Sequence, residues 1–83
     1  MFSPEHFILA ELIRMNGMAR DKDLYESLKK IYEGINKEFS LSIYNKALMK
    51  LEIRGFIRVE SIKRGSRMVY LVKNLNEESH TSE

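Results

Sequence analysis

The chain has no cysteine and no tryptophan, and only one proline and four glycines in 83 residues. Without cysteine, disulfides, thiol nucleophiles and cysteine-ligated zinc are all excluded. Small secreted domains of this length usually depend on such staples, so the expectation is an intracellular, cytoplasmic protein. No apolar run reaches the ~18 residues that a membrane span needs. The opening MFSPEHF lacks the basic start of a signal peptide. The two histidines, His6 and His80, lie near opposite ends, which argues against a paired metal site or a histidine-based catalytic group. There is no glycine-rich phosphate loop and no GxSxG turn. These gaps together set the expectation of a protein that is not an enzyme and carries no metal or cofactor.

What the chain does have is unevenly placed charge. The net charge is +2 over the whole sequence. Residues 1–36 hold five basic and six acidic side chains, whereas residues 37–73 hold nine basic and three acidic ones, a net of +6. The last ten residues add three glutamates and no basic group. A positive field confined to one half of a small domain is the electrostatic footprint expected of a nucleic-acid binder. With 43% hydrophobic and 31% charged residues the composition is that of a globular domain. Residues 1–73 are expected to form it, and 74–83 an acidic tail with almost no apolar content.

Read in order, the chain predicts three helices and a hairpin. Ser3-Pro4-Glu5 combines a capping hydroxyl, a proline suited to the first helical position and an acid at the positive end of the dipole. Ile8, Leu9, Leu12 and Ile13 then recur at helical spacing, and Asn16-Gly17 stops the helix. Phe7 and Ala10 fall off that stripe, and Phe2 and Phe7 are expected to cover an edge of the core or a partner helix. Met18-Ala19 is too short for more than a β-bridge. Asp21 or Asp23 is expected to cap a second helix with Leu24, Leu28, Ile31 and Ile35 on one side, flanked by Tyr25 and Tyr32, ending near Glu33-Gly34. Lys22, Lys29 and Lys30 read as surface lysines. Residues 35–39 form a linking turn.

Ser40 caps a third helix. Ile43, Tyr44, Ala47, Leu48 and Leu51 share one face; Ser42, Asn45, Lys46 and Met49 share the other, with Lys50 and Ile53 at its edges. Gly55 ends it. Residues 56–62 and 67–72 have strand-like content, and Lys63-Arg64-Gly65-Ser66 between them supplies a turn. The fold class is therefore α+β, mainly α, with a C-terminal two-stranded β-hairpin.

This order of elements resembles the winged helix-turn-helix family over about residues 3–73. Ser40-Leu41-Ser42-Ile43-Tyr44, Ala47-Leu48, Leu51-Glu52, Gly55-Phe56-Ile57 and Tyr70-Leu71 are similar to the third helix and wing of prokaryotic PadR-like transcription regulators. The DLYESLKKIYEGI segment and the basic wing are also similar to the winged-helix domain of archaeal replication initiators. Most of those residues are core, cap and turn positions, so the resemblance speaks more to fold than to function.

The resemblance implies a third helix in the major groove of double-stranded DNA and a wing on the backbone or minor groove. Asn45 would then pair with adenine, Lys46 or Lys50 would reach guanine or phosphate, and Met49 would meet a thymine methyl. Ser42 would lie near a phosphate at the helix start. Lys63, Arg64 and Arg67 crowd the wing tip, where three cations repel one another unless a polyanion neutralises them. One module offers few base contacts, so a homodimer on paired half-sites is expected, with Phe2 and Phe7 on the dimer surface. The alternative is a protein-interaction module in a replication, transcription or other multi-subunit assembly. Met49 and Ile53, four apart on the outer face, fit either a protein contact or packing beneath the wing.

Overall fold

The computed structural model describes residues 3–72. Phe2, His80 and the acidic tail lie outside them. The architecture is α+β and mainly helical: three helices against a three-stranded antiparallel sheet.

Helix α1 spans Pro4–Arg14. The Ser3 hydroxyl accepts from the His6 N–H, and proline occupies the first turn. Ile8, Leu9 and Leu12 are buried. Ile13, expected on the same face, is 52% exposed, because each residue turns the helix by about 100° and the core stripe is only wide enough to hold Leu12. The helix closes with the Gly17 N–H donating to the Leu12 carbonyl at 2.7 Å.

Strand β1, Met18–Arg20, leads without a break into α2, Asp21–Gly34. The helix cap is therefore Arg20, which makes no side-chain capping bond. The expectation that Asp21 or Asp23 caps α2 is corrected: both lie inside the first turn. Leu24, Leu28 and Tyr32 are buried, but Ile35 is 47% exposed at the helix end. Asn36 takes a left-handed φ of 58° there, and the Lys37 N–H donates to the Tyr32 carbonyl at 2.9 Å.

The connection to α3 is held by rings. Phe39 stacks on Tyr32 at 4.6 Å and on Tyr25 at 5.4 Å, and Tyr25 meets Tyr44 edge-on at 5.2 Å. Aromatic pairs at such distances add to the area they bury. A turn with no regular structure of its own thus fixes α3 against α2.

Helix α3 spans Leu41–Ile53, with the Ser40 hydroxyl accepting from the Ile43 N–H at 3.2 Å. Tyr44, Ala47, Leu48 and Leu51 are buried. Gly55, at a φ of +83°, turns the chain out of the helix, and the Phe56 N–H donates back to the Leu51 carbonyl at 2.9 Å.

Strands β2, Ile57–Lys63, and β3, Ser66–Leu71, form the expected hairpin. The sheet is not two-stranded, however, because β1 pairs along the other edge of β3, giving the order β1-β3-β2. Ala19 and Val59 both lie beside Val69, which is fully buried against the helices. The β2–β3 register shifts between Ser61 and Lys63, the irregularity of a β-bulge near the hairpin end.

Candidate nucleic-acid interface

The buried row of Tyr44, Ala47, Leu48 and Leu51 fixes the rotation of α3. Ser42, Asn45, Lys46, Met49 and Lys50 are consequently all exposed on its far side. Met49 and Ile53 are 59% and 77% exposed, so Ile53 is not packed beneath the hairpin. The start of α1 approaches one edge of this face. Lys50 Nζ lies 3.8 Å from Glu5 Oε2, and Pro4 and Glu5 share a shallow crease with Ile43, Lys46 and Lys50. Burial pushes the Glu5 carboxyl up. Its own backbone N–H, the Ser3 hydroxyl and the charges of Lys50 and Arg54 outweigh that and hold it below the ordinary carboxylate value. Lys50 is thus partly neutralised within the protein, and Lys46 has no such ion pair among the described residues.

At the hairpin tip Lys63 and Arg64 are exposed around the Arg64-Gly65 turn. Arg67 does not join them. It stands opposite Ser61, on the helix side of β3 with Val69, and reaches the start of α2. Its Nε and Nη2 donate to Asp21 Oδ2 at 3.1 and 2.7 Å. The Tyr44 hydroxyl donates to the other oxygen, Asp21 Oδ1, at 2.5 Å. The expected triple of repelling cations is therefore a pair, with the third neutralised inside the fold. Burial, and after it the bond to Asp21, drives the Tyr44 phenol far above its ordinary pKa, so the hydroxyl stays a donor.

Between α3 and the hairpin lies a cleft of about 300 Å³, lined by Asn45, Leu48, Met49, Glu52, Val59 and Arg67. It brings Asn45, Met49 and Arg67 together, and neither Lys63 nor Arg64 lines it. The opposite face of the sheet carries a separate hollow of about 310 Å³, between Arg20, Ile62, Lys63, Ser66 and Met68. Arg58 lies over the Tyr70 ring on that face, 4.7 Å from its centre, and pairs with Glu60 at 2.7 Å.

Two site features had no local signature in the sequence. The Asp21–Arg67 pair spans 46 residues, and the Asp21–Tyr44 pair 23. Glu52 lines the cleft only because β2 and β3 fold beside α3. Phe7 is half-buried, its ring edge-on to Tyr32 at 5.2 Å, so much of its surface is used within the chain's own fold. Among the described residues no group of three histidine, cysteine or acidic side chains could hold a metal ion. No helix among them is long and apolar enough to cross a membrane. The chain matches no protein-family model, no curated protein and no solved structure.

Proposed function

We propose that this chain is a winged helix-turn-helix protein that binds double-stranded DNA sequence-specifically, as a small transcription regulator. α3 lies in the major groove and the β2–β3 hairpin follows the backbone or enters the minor groove. The observation that carries the reading is the continuity of the exposed α3 face with the basic hairpin. Asn45 and Met49 line a cleft whose far wall is Val59 of β2 and Arg67 of β3, and the same hairpin carries Lys63 at the end of β2 and Arg64 in the turn. Asn45 supplies the paired donor and acceptor that adenine requires, and Lys46 an unshared charge.

A homodimer on paired half-sites gives such a module useful specificity. The exposed residues Ala10 and Ile13 of α1 offer a surface for it. Sizing across micromolar concentrations is expected to reveal a species of twice the 9.8 kDa chain mass.

The direct test is binding to generic duplex DNA at low and at moderate salt. Tight binding that weakens as salt rises is expected, and Asn45→Ala with Lys46→Ala should reduce it. Absence of binding even at low salt would remove this reading. A second reading is favoured by one observation, the 77% exposure of Ile53 beside Met49. These two side chains would anchor a protein partner in a larger assembly. Intact DNA binding by Ile53→Ser, together with loss of a partner, would identify that role.

A further inference from the structure

We propose that Arg67 is a pre-set base reader, holding the free edge of its guanidinium toward the cleft for the O6 and N7 acceptors of a guanine. The inference rests on the duplex-binding reading above and replaces the phosphate role expected for Arg67 from sequence.

The argument starts from donor geometry. A guanidinium carries five N–H donors in a planar fork. Nε and Nη2 face a single oxygen, Asp21 Oδ2. That is the side-on edge of the fork. The end-on edge, formed by Nη1 and the remaining hydrogen of Nη2, points away from Asp21. Among the described residues the guanidinium's bonds go to Asp21 alone, and its side chain is 41% exposed. An end-on fork of this kind is the shape that takes two acceptors on one base edge.

Its direction is set before any ligand arrives. Asp21 is tied through Oδ1 to the Tyr44 hydroxyl, and Tyr44 is fully buried between α2 and α3. Arg67 is therefore anchored to the core by a chain of charge-assisted bonds, which limits the side-chain freedom left to lose on binding. Asp21 and Tyr44 are positioning residues in this arrangement and need not touch the ligand.

The lining of the cleft selects the class of ligand. Glu52 offers acceptors only, Arg67 donors only, and Asn45 both, while Met49, Leu48 and Val59 are apolar. A phosphate presents acceptors and negative charge alone, and would face the carboxylate of Glu52. The edge of a base pair presents acceptors, donors and, on thymine, a methyl group side by side. The mixed lining fits the base edge. Lys63 and Arg64, out on the exposed turn, remain the phosphate-contacting cations.

The experiment begins with a preferred duplex selected from random sequence by the wild-type protein, compared with a generic duplex at the same salt. Arg67→Lys keeps the charge and loses the fork. It is expected to weaken the preferred duplex by about 10- to 100-fold and to relax one guanine position. Generic binding should change by no more than about twofold, with the salt slope unaltered. Asp21→Asn, which loosens the anchor, should relax the same position less. With the wild-type protein, 7-deazaguanine at that position removes the N7 acceptor without touching the fold, and should lower affinity about 10-fold.

A preferred duplex and a generic duplex weakened equally by Arg67→Lys, or full tolerance of 7-deazaguanine at every guanine, would overturn the proposal while leaving the duplex-binding reading intact. A wild-type protein that binds no duplex at all would remove both.

Discussion

Glu11 is the one charged residue among the buried described residues, and its environment makes a pH prediction. Arg14 grips the carboxylate through Nε and Nη2, and the Ser27 hydroxyl donates to it at 2.7 Å from α2. The bond to Arg14 holds the carboxyl below its ordinary value; burial opposes this, and Ser27 adds to the lowering. In the unfolded chain the group titrates near the usual glutamate value of about 4.3. The folded value is lower, so the stabilisation is complete above the unfolded value and is lost as pH falls through the folded one. Urea unfolding of the wild type and Glu11→Gln should therefore differ most at pH 7, by about 1–2 kcal/mol, and converge as pH falls through the lowered folded value. Parallel pH profiles would show that the α1–α2 tie carries no such energy. Residues of this sort also mark where sequence reading stops. Ser3 and Ser40 were legible as caps because their partners lie three residues away. Ser27 is sixteen residues from Glu11 and Arg67 forty-six from Asp21, and no local pattern links either pair. Asp21 was misread for the same reason: one residue from a capping position, it answers instead to partners that only the fold supplies.

Elements follow the same division between local and non-local causes. The three helices were legible because apolar spacing, capping hydroxyls and stop residues all act within a few residues of one another. β1 was legible only as a possible bridge. Its three residues are too few for an alternating pattern, and it exists through pairing with β3, fifty residues away. Spacing places Ile13 and Ile35 on buried faces, yet both are exposed, because spacing gives the direction of a stripe and not its width. Phe39 was placed in a turn with no sign that its ring would stack on two tyrosines of α2. At this scale the helix ends can be tested in opposite directions. A Cβ at Gly55 would meet nothing within 4 Å, so Gly55→Ala is penalised only by its φ of +83°. The expected loss is about 1 kcal/mol. Gly34 is the last residue of α2, has no positive φ, and a Cβ there also meets open space. Gly34→Ala should gain about 0.5 kcal/mol. Equal effects of the two substitutions in urea unfolding would mean that the left-handed turn after α3 is not what positions the hairpin.

Over the whole molecule the +6 of residues 37–73 is not a uniform field, because the fold withdraws some of its cations from use. Arg67 is neutralised by Asp21, Arg58 by Glu60, and Lys50 in part by Glu5. Lys63 and Arg64 stand exposed at the hairpin tip, and Lys46 on the outer face of α3. A count from sequence treats these charges alike; under the proposed duplex binding, its salt dependence will not. Each phosphate neutralised contributes about −0.9 to the slope of log K against log salt. Replacing both tip residues, Lys63→Ala with Arg64→Ala, should therefore reduce the magnitude of the slope by about 1.8 per protomer. Lys50→Ala should reduce it by less than about 0.9, since an ion pair with Glu5 already competes with phosphate and part of that charge is spent inside the protein. The comparison is made on generic duplex, where sequence readout contributes least. If the tip pair and Lys50 changed the slope equally per residue, the hairpin would have no special place on the backbone. If the tip pair left the slope unchanged, the phosphate contacts would lie elsewhere on the molecule, with the lysines of α2 the next candidates.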